Sequence, residues 1–110
     1  ANPSSMEMAV SSFAALKADR KMLILGDMLE LGSESQSGHA AVIDQLKNLA
    51  DVEVVLIGPR FHEVAGHIRA RLFGSSDELR GWLISNPPEG YTILVKGSRG
   101  MALEKIYPLL

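Results

Sequence analysis

The run Lys21-Met22-Leu23-Ile24-Leu25-Gly26 decides the fold class of this chain. It is almost continuously apolar and ends in glycine, which is typical of a strand that is covered on both faces. Similar runs occupy residues 52–58 and 91–95, and a weaker one occupies residues 70–73. The sequence therefore predicts four short strands, most of them buried between other elements.

Stretches with helical spacing separate these strands. The first begins near Pro3, which suits a first helical turn, and either Asn2 or Ser4 could cap it. Its apolar face is formed by Met6, Ala9, Val10, Phe13 and Leu16. Further helices are predicted to start at Ser33, Ser35 or Ser37, to lie at residues 61–68, to follow residues 74–76 and to run from Met101 to about Leu110. Strands that alternate with helices predict an α/β fold, a Rossmann-like three-layer sandwich with a mostly parallel sheet, over residues 1–110 as one domain.

The composition excludes several classes of function. The chain has 110 residues and a formal net charge of -2, with lysines and arginines scattered among acids. Neither nucleic acid nor an anionic membrane is therefore expected as a partner. No apolar run reaches the length of a transmembrane helix. Cysteine is absent, which excludes disulfides and thiolate metal sites and agrees with a cytoplasmic location.

The loop after the first strand is one candidate site, because ligands of such folds bind outside the carboxyl ends of the strands. Gly26 would allow a sharp turn, and Asp27 could accept hydrogen bonds from sugar hydroxyls. A turn aspartate bonded to its own backbone is the alternative. Three apolar residues, Met28, Leu29 and Leu31, predict that the loop packs against something, for example another domain.

The loop after the fourth strand, Lys96-Gly97-Ser98-Arg99-Gly100, is a second candidate. Its glycines free the backbone to point N–H groups at an anion, and its two cations and hydroxyl suit a carboxylate or a phosphate. A flexible turn with solvated cations is the alternative. The loop lacks the spacing of a P-loop, and no Gly-x-Gly-x-x-Gly follows any strand, so dinucleotide binding has little support.

Other polar residues give weaker signals. His39 lies on the inner face of the second helix, where a core or capping role is the expectation and a catalytic role the alternative. The three histidines do not have the spacing of metal ligands, so no metal site is predicted. Glu30 and Glu34 are interpreted as solvated acids near the start of that helix.

Three segments together resemble the C-terminal domain of the Mur ligases of peptidoglycan synthesis, in particular the group that adds D-alanyl-D-alanine to UDP-N-acetylmuramoyl-tripeptide. Residues 1–6 are similar to the end of that group's Asn-Ala-Asn-Pro-Ser-Ser-Met stretch. Residues 25–32, with His39 downstream, resemble its Gly-Asp-Met-x-Glu-Leu-Gly segment. Residues 94–101, with Glu104 after them, resemble its Lys-Gly-Ser-Arg-Gly-Met segment.

The resemblance implies a three-domain enzyme in which ATP phosphorylates a peptide carboxylate and an incoming amine forms the amide. It implies that Asn2 and Asp27 contact the nucleotide, and that Lys96, Ser98 and Arg99 line the site for D-alanyl-D-alanine. Supporting roles are implied for Glu30 and His39.

The P-loop, the magnesium ligands and the UDP site of such enzymes belong to central and N-terminal domains outside these residues. This chain alone is therefore expected to be inactive, and ATP and Mg²⁺ are expected to be bound mainly by the central domain. Two other interpretations stay open: the C-terminal domain of another Mur-type or folylpolyglutamate-type ligase, or a receiver-like α/β binding module.

Overall fold

The computed structural model describes residues 1–110 and places four strands side by side in one sheet. The strands are β1 (Lys21–Gly26), β2 (Val52–Ile57), β3 (Arg71–Phe73) and β4 (Thr92–Lys96). Their order is β3-β2-β1-β4, and every neighbouring pair is parallel. The fully apolar β1 therefore occupies the interior of the sheet, as its sequence predicts.

Four α-helices connect and cover the strands: α1 (Pro3–Ala15), α2 (Ser35–Leu46), α3 (Pro59–Val64) and α4 (Ser76–Ser85). Three short 3-10 segments complete the chain, at Gly32–Glu34, Arg99–Met101 and Leu103–Leu109. The expected α/β fold with a parallel sheet is confirmed, and its layers are visible in the two separate cores.

A hydrophobic core lies on each face of the sheet. On one face α1, α2 and α3 pack against alternate residues of the strands. The core that they form consists of Met6, Val10, Phe13, Leu23, Leu25, Met28, Val42, Ile43, Leu46, Val54, Leu56 and Phe61. On the other face α4 and the last 3-10 segment pack against the intervening strand residues. The core on this face consists of Met22, Ile24, Val55, Ile57, Leu79, Leu83, Leu103 and Ile106. The alternation explains why β1 needs apolar residues at successive positions.

The helix caps resolve the boundaries that the sequence left open. Asn2 is the N-cap of α1; its side-chain oxygen accepts a hydrogen bond from Ser5 N at 2.9 Å, and the Ser5 hydroxyl reciprocates. The ammonium of Lys21 donates to the carbonyl oxygens of Ala14 and Leu16 at 2.9 Å each and so terminates the same helix. The second helix begins at Ser35, after the 3-10 turn.

One expectation about the C-terminal half is wrong. The segment from Met101 onward is not one helix, because Ala102 adopts a left-handed conformation with φ 53° and divides it into two 3-10 segments. Trp82 of α4 is half-buried and packs against the core beside Phe73, and the guanidinium of Arg71 lies 4.7 Å from its ring centroid. No helix of the chain combines the length and the apolar character that crossing a membrane requires.

Candidate functional site

The two loops that the sequence singles out lie next to each other at the carboxyl edge of the sheet. Strands β1 and β4 are neighbours, with Leu25 opposite Lys96, so both chains leave the sheet at the same place. Ser98 N donates to the Asp27 carbonyl at 3.1 Å, and Leu29 N donates to the Ser98 hydroxyl at 2.7 Å. Residues 69 positions apart in the chain thus form one rim.

Glycines make this close approach possible. A Cβ on Gly97 would lie 2.8 Å from Leu103 Cδ1 and 3.0 Å from Gly26 Cα, so the two loop backbones touch. The expectation for Gly26 was conformational freedom at a sharp turn, but Gly26 is not among the glycines with positive φ. A glycine is needed at position 26 because there is little room for a side chain: a Cβ there would lie 3.2 Å from Leu103.

Asp27 is 1% exposed, and all of its polar groups have partners inside the domain. Its carboxylate accepts hydrogen bonds from Arg60 N at 2.9 Å and Phe61 N at 3.0 Å, the free amides at the start of α3. Its backbone N–H donates to Ile57 O at 3.0 Å. The carboxylate does not bond its own neighbouring backbone, which was the alternative from the sequence. Its partners lie 33 and 34 positions away in the chain. The contact with a ribose stays a prediction, and it would require this loop to open.

Gly58 provides the room for that carboxylate. It has φ 116° and ψ 159°, a region open almost only to glycine, and a Cβ at this position would overlap the Asp27 side chain. The pairing of Asp27 with the Gly58–Phe61 turn is therefore built into both segments. Sequence reasoning missed it, although the Gly58-Pro59 pair after a buried strand marks the start of a helix.

His39 is completely buried and lies behind the same loop. Its Nδ1 is 2.7 Å from the Ser35 carbonyl and must donate there, while Nε2 accepts from Met28 N at 3.0 Å. These two bonds assign the neutral ring with its proton on Nδ1. The ring also packs edge-on against Phe61, with centroids 4.7 Å apart, and Nε2 lies 4.0 Å from Asp27 Oδ1. This is the position of the expected core histidine.

The apolar residues of the β1 loop pack mainly onto this domain, whereas the sequence left open a contact with another domain. Met28 is fully buried in the core, and Leu31 packs against the same core. Leu29 is half-buried beside Gly100 of the β4 loop. Glu30 between them is exposed and holds φ 65°, an unfavourable conformation for a residue with a side chain.

The β4 loop differs because its cations have no partners. Lys96 is half-buried and Arg99 exposed, and neither takes part in any of the three ion pairs. Ser98 is 8% exposed, and its hydroxyl is engaged by Leu29 N. The loop borders an open cavity of about 410 Å³ lined by Ala1, Val95, Lys96, Gly97, Ser98, Arg99, Leu103, Glu104 and Tyr107.

Three of these lining residues, Ala1, Glu104 and Tyr107, were given no binding role from the sequence, although Ala1 and Glu104 belong to the segments that carry the resemblance. Glu104 and Tyr107 come from the last 3-10 segment, which follows the loop directly and forms the other wall of the cavity. Ala1 brings the amino end of the chain to the same place, so Asn2 follows a cavity residue. The Asn2 oxygen caps α1, which leaves its side-chain amide group exposed.

The residues described here do not fit a metal ion. No group of three or more histidine, cysteine, aspartate or glutamate side chains is placed to hold one. A larger open groove of about 1470 Å³ lies at the opposite, amino edge of the sheet, where basic residues such as Arg20 and Arg69 alternate with acidic ones such as Asp51 and Glu53. The groove is lined by five lysines and arginines and three acids, and it lies away from the edge where parallel sheets bind ligands.

A family model described as "Mur ligase, glutamate ligase domain" matches residues 1–99. The chain belongs to this family. The sequence resemblance to the Mur ligases is thereby confirmed, and the interpretation as a receiver-like module is excluded.

Individual relatives agree with the family. This Mur ligase domain is similar to UDP-N-acetylmuramoyl-tripeptide--D-alanyl-D-alanine ligase from Treponema pallidum (strain Nichols), at 36% identity over 100% of this chain and 26% of the relative. Among solved structures, MurF from Acinetobacter baumannii superposes with a TM-score of 0.79 at 26% identity, over 98% of this chain and 25% of that one.

A MurF ligase from Thermotoga maritima, determined in complex with ADP, has a TM-score of 0.76 at 20% identity, over 99% of this chain and 25% of that one. At that identity the likeness supports the fold alone. The chain spans about a quarter of the length of the proteins it matches.

Proposed function

We propose that this chain is the C-terminal domain of an ATP-dependent ligase that joins D-alanyl-D-alanine to UDP-N-acetylmuramoyl-tripeptide in peptidoglycan precursor synthesis. The proposal rests on family membership and on relatives that carry this activity in their names. Within the full-length enzyme, the domain presents the amino substrate. Its use of cellular ATP and a UDP-linked precursor assigns the reaction to the cytoplasm.

The observation that carries the proposal is the pair of unpartnered cations beside the cavity. Lys96 and Arg99 have no ion-pair partners within the chain. Carboxylates and phosphates are the groups that such cations bind, and an arginine can bind a carboxylate through two parallel hydrogen bonds. The terminal carboxylate of D-alanyl-D-alanine would occupy this position, with Ser98 holding the loop that presents the cations.

The opposite wall of the cavity suits the remainder of a short dipeptide. Leu103 and Tyr107 offer apolar surface for the methyl groups, and Glu104 offers a negative charge for the amino group. A cavity with cations on one wall and an acid on the other is complementary to a zwitterion.

The nucleotide would be bound mainly by the other domains. ATP supplies the phosphoryl group that activates the peptide carboxylate, and the central domain would hold it together with Mg²⁺, since the residues of this chain do not form a metal site. Asn2 is exposed and follows a residue of the cavity, and the contact with the nucleotide that the family resemblance implies for it is part of the proposal. The N-terminal domain would bind the UDP portion of the second substrate.

Steady-state kinetics of the full-length ligase test the amino-substrate site. Arg99→Ala should raise KM for D-alanyl-D-alanine by about 10- to 100-fold, because a charge-assisted hydrogen bond to a carboxylate is lost. Lys96→Ala should act in the same direction, and KM for ATP should change little. The matched control is Arg69→Ala, an exposed arginine of the groove at the amino edge. Unchanged dipeptide KM in both loop variants would contradict the assignment.

A substrate screen separates the remaining alternative. The full-length ligase should form amide product with UDP-N-acetylmuramoyl-tripeptide and D-alanyl-D-alanine, and not with folate and glutamate or with single amino acids. The 110-residue chain alone should form none, because the phosphate and metal clamps belong to other domains. ATP-dependent amide formation by this chain alone would refute the division of roles between domains.

A further inference from the structure

We infer that Asp27 is a positioning residue, which fixes the β4 loop that presents the cations to the dipeptide and does not itself contact the nucleotide. The inference deepens the proposed function and rests on it. It starts from the hydrogen bonds of the β1 loop, which leave Asp27 no free polar group for a ligand.

Three consecutive residues of the β1 loop are each bonded to a different part of the domain. The Asp27 carboxylate holds the start of α3 through Arg60 N and Phe61 N. Met28 N donates to His39 of α2. Leu29 N donates to Ser98 of the β4 loop, and the Asp27 carbonyl accepts from Ser98 N. The β1 loop therefore transmits the position of two helices to the loop that carries Lys96 and Arg99.

The chemistry of the pairing requires a carboxylate. Two backbone N–H groups converge on Asp27 from the positive end of α3, and each needs its own acceptor oxygen. Asparagine would turn an NH₂ group toward one of them and lose that bond. At 1% exposure no water can take its place, so the loop must shift.

Gly58 allows the same contact to be disturbed from the other side. A Cβ at Gly58 would push against the Asp27 carboxylate, and Gly58 is itself 1 residue before α3 and does not line the cavity beside Lys96. Both Asp27→Asn and Gly58→Ala disturb the Asp27 carboxylate, so both variants should have the same effect. If Asp27 positions the rim, that effect is on the binding of D-alanyl-D-alanine; if Asp27 contacts the nucleotide, it is on the binding of ATP.

The experiment measures both KM values of the full-length ligase at a temperature well below the unfolding transition of every variant. Asp27→Asn should raise KM for D-alanyl-D-alanine by about tenfold or more, since small misplacements of binding groups have effects of this size. KM for ATP should change less than about twofold. Gly58→Ala, if it folds, should give the same pattern.

A second readout does not depend on activity. In amide hydrogen–deuterium exchange of Asp27→Asn, the amides of Leu29 and Ser98 should exchange faster together with those of Arg60 and Phe61. Ser98→Ala, which removes the acceptor of Leu29 N, should accelerate Leu29 but not Phe61. A change confined to Arg60 and Phe61 in Asp27→Asn would mean that the carboxylate supports α3 only, and would overturn the inference.

The kinetic outcomes also separate this inference from the proposed function. A rise in KM for ATP with unchanged dipeptide KM in Asp27→Asn would make Asp27 a nucleotide ligand and overturn the inference. Unchanged values of both would overturn it as well. If Arg99→Ala impairs dipeptide binding in either case, the proposed function stands. If the full-length enzyme forms no amide from D-alanyl-D-alanine and UDP-N-acetylmuramoyl-tripeptide, the proposed function itself fails.

Discussion

The loops after β1 and β4 lie side by side at one edge of the sheet and use their polar residues in opposite ways. In the β1 loop, Asp27 is buried and bonded to four backbone groups of its own domain. In the β4 loop, the half-buried Lys96 and the exposed Arg99 have no ion-pair partners. Location at the carboxyl edge therefore does not distinguish framework from binding residues. The partners of each side chain do.

The contrast extends to the energetics of substitution. Removing a buried group that satisfies two amides leaves unsatisfied donors and lowers the free energy of unfolding. Removing a solvated cation changes stability little, whatever it does to ligand binding. Stability measurements on the 110-residue chain can therefore assign each residue of the rim to one of the two groups.

The largest loss of stability is expected where the two loops touch. Gly97→Ala should lower the free energy of unfolding by about 3 kcal/mol, because its Cβ would meet Gly26 backbone at 3.0 Å and no rotamer change relieves a backbone contact. Urea denaturation followed by circular dichroism measures this. In the control, Gly100→Ala, the new Cβ meets only a terminal methyl of Leu29, which can rotate away, so the loss should stay below about 1 kcal/mol. Equal losses would mean that the loops do not depend on this contact.

A smaller loss is expected behind the β1 loop. His39→Ala should cost about 2–3 kcal/mol, since it leaves Met28 N without an acceptor and opens a space beside Phe61. His62→Ala is the control, because His62 is exposed on α3 and should change stability by less than about 0.5 kcal/mol. If the two variants unfold at the same urea concentration, the histidine does not support the loop.

Asn2 lies between the two groups, since it follows a cavity residue and also caps a helix. Asn2→Ala should lower the free energy of unfolding by about 1 kcal/mol through loss of the N-cap of α1. Ser4→Ala, at an exposed helical position with no side-chain hydrogen bond, should be neutral or slightly stabilising. A neutral Asn2→Ala would show that the cap contributes nothing and would leave ligand contact as the reason for this residue.

The fold could be predicted from the sequence because apolar periodicity reports burial directly. The run at Lys21–Gly26 is apolar at successive positions, and β1 indeed has a core on each face. The last segment could not be predicted in the same way. Leu103 and Ile106 have spacing that suits an α-helix or a 3-10 helix equally, and the left-handed Ala102 leaves no mark in the sequence.

The candidate site was predictable in location but not in the roles of its residues. Both loops were expected at the carboxyl edge, and both lie there. The partners of Asp27 could not be foreseen, because a hydrogen bond across 33 residues depends on how β2 and α3 pack beside β1. Similarly, Tyr107 lines the cavity because the final 3-10 segment forms its other wall, and the sequence does not show where that segment packs.

The smallest change in stability is expected at the cations themselves. Arg99→Ala and Lys96→Ala should each alter the free energy of unfolding by less than about 0.5 kcal/mol, because neither side chain has an ion-pair partner to lose. Asp27→Asn, on the neighbouring β1 loop, should unfold at a clearly lower urea concentration under identical conditions. A loss of more than about 1 kcal/mol in Arg99→Ala would place this arginine in the framework with Asp27, because only a residue with partners inside the domain can contribute that much to its stability.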